Sequence, residues 1–140
     1  MRYLGFDLGT RTLGLSISDT THTIASTYST IRFDGDYDKL LEPLKKIIDK
    51  EKIEKIILGL PRNMNYTIGN RGIETIEFKK KLEEYLNIEV IMQDERLSTV
   101  EATNYLLEAD MSRKKRKKHI DSVAANIILQ SYLDKMKGKI

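Results

Sequence analysis

Carboxylates in three separate parts of the chain are the residues best suited to chemistry. Asp7 lies within an apolar run near the start, Asp94 and Glu95 follow a short apolar run, and Asp121 stands among apolar residues at helical spacing. A carboxylate in an apolar setting is costly to bury unless a cation or hydrogen bonds accept its charge. If the three parts converge, like charges raise one another's pKa values, and divalent cations relieve that repulsion. Two cations roughly 3.5 to 4 Å apart are one arrangement that hydrolyses phosphodiesters.

Each of these acids also has an ordinary explanation. Asp7 is suited to a turn in which it bonds its own backbone, and Asp94 is a common turn residue. Glu95 has Arg96 beside it as an ion-pair partner, and Asp121 is a favourable charge at a helix start. Each explanation suffices for one residue, whereas the joint occurrence of the acids favours a shared metal site.

The composition restricts both the metal and the mechanism. The 140 residues include no cysteine and two histidines, which excludes disulfides and thiolate zinc sites and leaves oxygen ligands. Oxygen ligands favour Mg²⁺ or Mn²⁺. Because neither His22 nor His119 has a Ser-His-Asp context, we expect attack by an activated water without a covalent intermediate.

The elements that must position these acids begin with a meander. Alternating residues 3–8 and 13–18 predict two strands joined by a tight turn, and the Thr-, Ile- and Ser-rich residues 23–33 predict a third. An apolar stripe at helical spacing follows within residues 40–48. Pro43 lies in that stripe, either in the first turn of the helix or at a kink.

The second half of the chain predicts a parallel part of the sheet. Residues 55–60 and 88–92 are short apolar runs typical of strands, and the helical spacing between them implies right-handed crossovers. The capping-box spacing of Ser98 and Glu101 predicts a helix over about residues 98–108. The last helix has the clearest apolar repeat, at Ile120, Val123, Ala124, Ile127, Ile128 and Tyr132. We therefore expect one α/β domain over residues 1–140, with a mixed five-stranded sheet and about four helices.

This arrangement can bring the acids together. With the meander at one edge, the first strand is central, and the strand that ends near Met92 lies close to it. Ligands collect in the crevice at strand ends. A last helix that crosses the sheet would carry Asp121 to the same place as Asp7.

One stretch before the last helix carries six consecutive cations: Arg113, Lys114, Lys115, Arg116, Lys117 and Lys118. Without them the net charge of +3 becomes −3, so the basic character is local. We expect a solvated, mobile segment that steers a polyanion toward Asp121 and binds phosphates without reading bases.

Four motifs, in this order, resemble those of the YqgF/RuvX family and span nearly the whole chain. They are Gly5-Phe6-Asp7-Leu8-Gly9-Thr10-Arg11, Gly59-Leu60-Pro61-Arg62-Asn63-Met64, Asp94-Glu95-Arg96-Leu97-Ser98-Thr99-Val100-Glu101-Ala102 and Asp121-Ser122-Val123-Ala124-Ala125. The family often has Asp-Gly after the Asn-Met pair, where this chain has Asn65 and Tyr66. That departure leaves the substrate contacts of the loop over residues 61–69 open.

The resemblance implies a ribonuclease H-like fold and a bacterial nuclease that matures the 5′ end of 16S ribosomal RNA, with an older assignment as a Holliday-junction resolvase. It implies that Asp7, Glu95 and Asp121 are the catalytic acids and bind Mg²⁺ or Mn²⁺, with Asp94 as the alternative to Glu95. The expected partner is structured RNA of the ribosome precursor, with branched DNA as the alternative.

Four more residues are candidates for substrate contact: Arg11 beside the hairpin turn, Arg62 and Asn63 in the loop, and Arg96. Their donors suit phosphate or sugar oxygens. Arg96 is equally suited to pair with a nearby carboxylate.

Two other classes of function fit parts of the sequence. Residues 7–10 also resemble the first phosphate-binding loop of actin-like ATPases and sugar kinases, but those proteins need two lobes and this chain has room for one. A non-catalytic nucleic-acid-binding module would use the basic stretch and leave the acids without a purpose. No apolar run reaches the length of a membrane span, so we expect a cytoplasmic protein, either a monomer or a homodimer.

Overall fold

Five strands form one mixed sheet in a computed structural model that describes residues 1–60, 70–94 and 113–137, with only the backbone described at 70, 71, 94 and 113–122. The strands are β1 (Arg2–Leu8), β2 (Thr12–Ser18), β3 (Ala25–Arg32), β4 (Ile53–Leu60) and β5 (Glu89–Asp94). Their order across the sheet is β3-β2-β1-β4-β5. β1, β2 and β3 pair antiparallel, whereas β4 pairs parallel with both β1 and β5. The predicted meander, parallel part and central first strand are confirmed.

Three α-helices belong to the described residues: α1 (Leu41–Glu51), α2 (Asn70–Leu86) and α3 (Arg113–Lys137). A short 3-10 turn, Tyr37–Leu40, leads into α1. Pro43 is the third residue of α1, so it occupies the first turn, where a missing backbone N–H costs nothing. The helix predicted over residues 98–108 lies outside the described residues, as does the loop over residues 61–69.

The basic stretch differs from the prediction, which placed it before the last helix. Its backbone is helical, because α3 begins at Arg113 and continues without a break to Lys137. The six cations occupy the first turns of that helix, although like charges and the positive end of the helix dipole both disfavour helix there. The prediction was wrong because the apolar repeat that begins at Ile120 stabilises a helix that then extends backwards.

The two faces of the sheet pack against different helices. α1 and α2 cover one face, and the large side chains fully buried there include Leu4, Phe6, Leu15, Leu44, Leu58, Phe78 and Leu82. α3 covers the other face through Ile128, Leu129, Tyr132 and Leu133, which pack on Ala25 and Ile57. Burial of each large apolar side chain contributes about 1.5–3 kcal/mol. The described side chains that hold α3 on the sheet thus belong to its second half, whereas Asp121 lies in its first half.

The outer edge of β3 is partly closed by a side chain. The Gln130 amide accepts a hydrogen bond from the Ala25 N–H at 2.8 Å and donates one to the Thr23 carbonyl at 3.0 Å. Further along, Tyr28 is an extra residue between the pairs that Ser29 and Thr27 make with β2, which is a β-bulge. Both features interrupt the edge.

Candidate active site

Asp7 is the one predicted catalytic acid whose side chain the structure describes. It is the last residue but one of β1, it lies opposite Gly14 of β2, and it is half-buried. Phe6 and Leu8 belong to the core under α1 and α2. Since side chains alternate along a strand, Asp7 shares the α3 side of the sheet with Tyr3 and Gly5.

The hairpin turn beside Asp7 is tight. The Gly9 N–H donates to the Thr12 carbonyl at 2.7 Å, and a Cβ atom on residue 9 would lie 2.9 Å from the Thr12 hydroxyl oxygen. Arg11 is exposed in this turn, and its carbonyl accepts a hydrogen bond of 2.9 Å from the Phe33 N–H. The predicted substrate-contacting Arg11 therefore lies at the same end of β1 as Asp7.

Two small residues let α3 approach the sheet closely. The Ser16 hydroxyl donates to the Ala125 carbonyl at 2.8 Å, and the contact is buried. A Cβ atom on Gly5 would collide with the Ser16 hydroxyl and lie 2.7 Å from the Leu129 Cβ and 3.0 Å from the Ala125 carbonyl oxygen. The helix backbone thus rests directly on β1 and β2, with no space for a larger side chain at residue 5.

The contacts of α3 also give its direction. The Tyr132 ring meets the Tyr3 ring edge-on at a centroid distance of 6.2 Å, whereas Ala125 lies over Gly5. Lower helix numbers therefore meet higher strand numbers, so α3 runs antiparallel to β1. One helical turn back from Ala125 is residue 121, about 6 Å away, and two strand residues on from Gly5 is Asp7, also about 6–7 Å away.

Asp94 ends β5 at the same edge of the sheet. It pairs in parallel register with Leu60, as Met92 pairs with Leu58, which in turn pairs with Phe6 of β1. β5 is two strands from β1, so their backbones lie about 10 Å apart. Asp94 and Asp121 are described by their backbones alone, and Glu95 lies outside the described residues.

The remaining predicted contacts fall beyond the described side chains. Arg62, Asn63 and Arg96 lie outside the described residues, and the six cations are described by the backbone alone. Among the residues whose side chains are described, no three His, Cys, Asp or Glu side chains could hold one metal ion. No helix within the described ranges is long and apolar enough to cross a membrane.

The donor chemistry around Asp7 fits a hard divalent cation. Its carboxylate lies at the strand end, where the backbone of α3 brings a second acidic position, and the chain has no thiolate to attract a softer metal.

The sequence reasoning did not identify four residues that shape this region: Gly5 and Ser16 under α3, Arg32 on β3, and Asn126 on α3. A signal for both glycine and serine was present, since Gly5 stands between Leu4 and Phe6 on β1, and Ser16 follows Leu15 on β2. A strand face of small residues indicates a close helix. The Oδ1 atom of Asn126 is buried with no hydrogen-bond partner among the described residues. Because no sequence pattern indicates such a burial, Asn126 could not be predicted.

Solved structures with this architecture include two resolvases. Fowlpox virus resolvase in complex with Holliday junction DNA has a TM-score of 0.58 and 14% identity, covering 97% of this chain and 99% of that one. Thermus thermophilus RuvC has a TM-score of 0.58 and 10% identity, covering 99% of this chain and 97% of that one. At these identities the likeness concerns the fold alone, and it confirms the predicted ribonuclease H-like class.

Sequence relatives extend over almost the whole chain. A Clostridium botulinum protein named "Putative pre-16S rRNA nuclease" is 51% identical over 137 residues, covering 97% of this chain and 98% of that protein. A protein of the same name from Caldanaerobacter subterraneus subsp. tengcongensis is 49% identical over 139 residues, covering 99% of both. Residues 1–135 match the family described as RuvX, Holliday junction resolvase. The chain therefore belongs to the RuvX family.

Proposed function

We propose that this protein is a divalent-metal-dependent nuclease that hydrolyses phosphodiester bonds during maturation of the 5′ end of precursor 16S ribosomal RNA. The observation that carries the proposal is Asp7, half-buried at the end of the central strand and on the side of the sheet that α3 crosses. The names of relatives about half identical to this chain support the RNA substrate. This activity belongs to the cytoplasm, where ribosomes mature.

In this proposal Asp7, Glu95 and Asp121 hold Mg²⁺ or Mn²⁺, with Asp94 as the alternative to Glu95. The bound metal would activate a water and neutralise charge on the phosphate that is cleaved. The close packing of α3 on Gly5 and Ser16 holds the backbone at residue 121 at a fixed height above β1. In this proposal, a fixed backbone position lowers the entropic cost of bringing the acids together.

In this proposal the cations of α3 form a phosphate-binding surface. Arg113, Lys114, Lys115, Arg116, Lys117 and Lys118 precede Asp121 on one continuous helix. A helix that presents cations directly before an acidic position draws the polyanion toward the metal site. Arg11, at the hairpin turn, supplies positive charge at the same end of β1.

The experiment is cleavage of a precursor 16S RNA fragment and of a four-way DNA junction with Mg²⁺ or Mn²⁺. We compare the wild type with Asp7→Asn and with Asp49→Asn, a matched substitution on an exposed residue of α1. We expect the wild type and Asp49→Asn to cut RNA, and Asp7→Asn to bind RNA without cutting it. Cleavage by Asp7→Asn at the wild-type rate would remove Asp7 from the mechanism.

The family description favours one alternative, a Holliday-junction resolvase. The same experiment decides between the two substrates, because the DNA junction is present at equal concentration. Faster cutting of the junction than of the RNA would replace the ribosomal substrate with branched DNA and leave the metal site intact.

A further inference from the structure

The α3 side of β2 and β3 is a polar surface that begins beside Asp7. Leu13 and Leu15 of β2 lie in the core under α1 and α2, so Thr12, Gly14 and Ser16 face the α3 side. Directly paired residues of antiparallel strands share a face. The partners of Thr12, Gly14 and Ser16 on this face are Arg32, Thr30 and Thr27.

α3 covers only part of this surface. The helix packs on the end of the surface that contains Ala25 and Ser16. Thr27 and Arg32 are exposed, and Thr30 is half-exposed. Asp7, Gly14 and Thr30 lie in one register row across three adjacent strands. With strands about 4.8 Å apart, Thr30 lies about 10 Å from Asp7.

The charge of this surface suits a polyanion. β2 and β3 together contain no acidic residue, and Arg32 is their one charged residue. No carboxylate in the described part of the chain forms an ion pair with Arg32. All the other polar side chains on these strands carry hydroxyl groups, which donate to phosphate and sugar oxygens.

The surface deepens where it meets α3. A pocket of about 320 Å³ lies there, lined by Ser26, Thr27, Val123, Asn126 and Ile127. Its volume is at the lower end of the range of small-molecule sites. Asn126 contributes an amide whose Oδ1 lacks a partner among the described residues, and rotation of that amide would offer the Oδ1 to a donor in the pocket.

We propose that this surface, defined by Thr12, Thr27, Thr30 and Arg32, binds the sugar-phosphate backbone of the substrate strand next to the cleaved bond, with Arg32 contacting a phosphate. The inference rests on the proposed nuclease function and adds a second, independent phosphate contact to the cations of α3. Because phosphate is the group recognised, RNA and DNA strands bind here alike.

The test compares Arg32→Glu with Lys46→Glu, which makes the same charge change on α1, against the opposite face of the sheet, where Lys46 is 78% exposed. Both are made in the Asp7→Asn background, so that binding is measured without cleavage. The probes are a fluorescein-labelled single-stranded RNA and a DNA of the same sequence, titrated over a range of salt concentrations. Arg32→Gln serves as a milder second variant.

We expect Arg32→Glu to weaken binding of both probes about tenfold and to lower the salt slope by about one. Lys46→Glu should change binding less than about twofold, since surface charges far from the contact act weakly. An effect of Arg32→Glu no larger than that of Lys46→Glu, or one confined to a single probe, would overturn the proposal. If the wild type cuts neither RNA nor DNA while Arg32→Glu still weakens binding, the proposed nuclease function is rejected and the proposed phosphate-binding surface is retained.

Discussion

The Ser16 hydroxyl donates a 2.8 Å hydrogen bond to the Ala125 carbonyl, which joins the middle of β2 to α3 one helical turn after Asp121. Both groups are buried, so the contact is shielded from water. A hydrogen bond from a strand side chain to a helix carbonyl fixes the height and the axial position of the helix. The backbone of α3 that leads to Asp121 is thereby positioned by a residue that carries no charge.

Gly5→Ala should lift α3 from the sheet. The new methyl group would lie 2.7 Å from the Leu129 Cβ and collide with the Ser16 hydroxyl. We expect a loss of about 1–3 kcal/mol in the free energy of unfolding, measured by urea denaturation. Ser16→Ala alone should cost about 0.5–1.5 kcal/mol.

The double variant separates the two effects. Ser16→Ala removes one of the atoms that the Gly5→Ala methyl meets, so the double variant should be more stable than the sum of the single losses. Strict additivity would show that the two residues do not share one contact with α3. Any cleavage that the variants lose should appear in kcat more than in KM, because position and not substrate affinity has changed.

Glu95→Gln and Asp94→Asn test which acid serves the metal. We expect Glu95→Gln to abolish cleavage and Asp94→Asn to retain a measurable part of it, because the resemblance assigns the ligand to Glu95. Isothermal titration with Mn²⁺ gives an independent readout, since loss of a ligand weakens metal binding whatever the substrate. The reverse pattern would make Asp94 the ligand.

Neutralising the basic stretch tests both affinity and helix formation. Replacing Lys114, Lys115, Lys117 and Lys118 with Gln should weaken RNA binding and flatten its salt dependence. Helical content by circular dichroism should stay equal or rise, because the repelling cations at the positive end of the helix dipole are removed. An unchanged salt slope would show that this stretch does not contact the phosphates.

The hydrogen bonds that Asp19 accepts predict that the stability of the folded protein depends on pH. Its carboxylate accepts hydrogen bonds from the Thr21 hydroxyl and from the Ile24 and Thr23 N–H groups, at 3.1 and 2.8 Å for the last two, and these lower its pKa well below 3.8. A group with a lowered folded-state pKa stabilises the fold above its unfolded pKa and loses that effect as pH falls through the folded value. The gap in melting temperature between wild type and Asp19→Asn should therefore be full at pH 7 and shrink below about pH 4.

Much of the fold was predictable because hydrophobic periodicity and the residue preferences of turns are both visible within a short segment of sequence. The alternation around Gly9 gave the β1–β2 hairpin, and the apolar runs gave β4 and β5. The start of α3 was not predictable in the same way. Six cations disfavour a helix locally, and only packing of the later turns on the sheet decides that the helix begins at Arg113.

The candidate site was likewise predictable only in those features that a single segment of sequence determines. The acids could be chosen by residue type, and Asp7 lies at the strand end as predicted. The antiparallel course of α3 over β1 depends on contacts between distant segments, such as that of Tyr3 with Tyr132. The sequence of either segment alone does not indicate these contacts. The same holds for Arg32, whose relation to Asp7 follows from two strand registers and not from spacing.

The amide of Gln130 has a consequence for behaviour at high concentration. By bonding both the Ala25 N–H and the Thr23 carbonyl, it fills places that the backbone of another molecule would otherwise use to extend the sheet. A protein that gathers on a polyanion is crowded against its own copies, and exposed sheet edges then seed aggregates. At the start of β3, Gln130 therefore blocks the backbone groups through which a neighbouring copy could pair strand to strand.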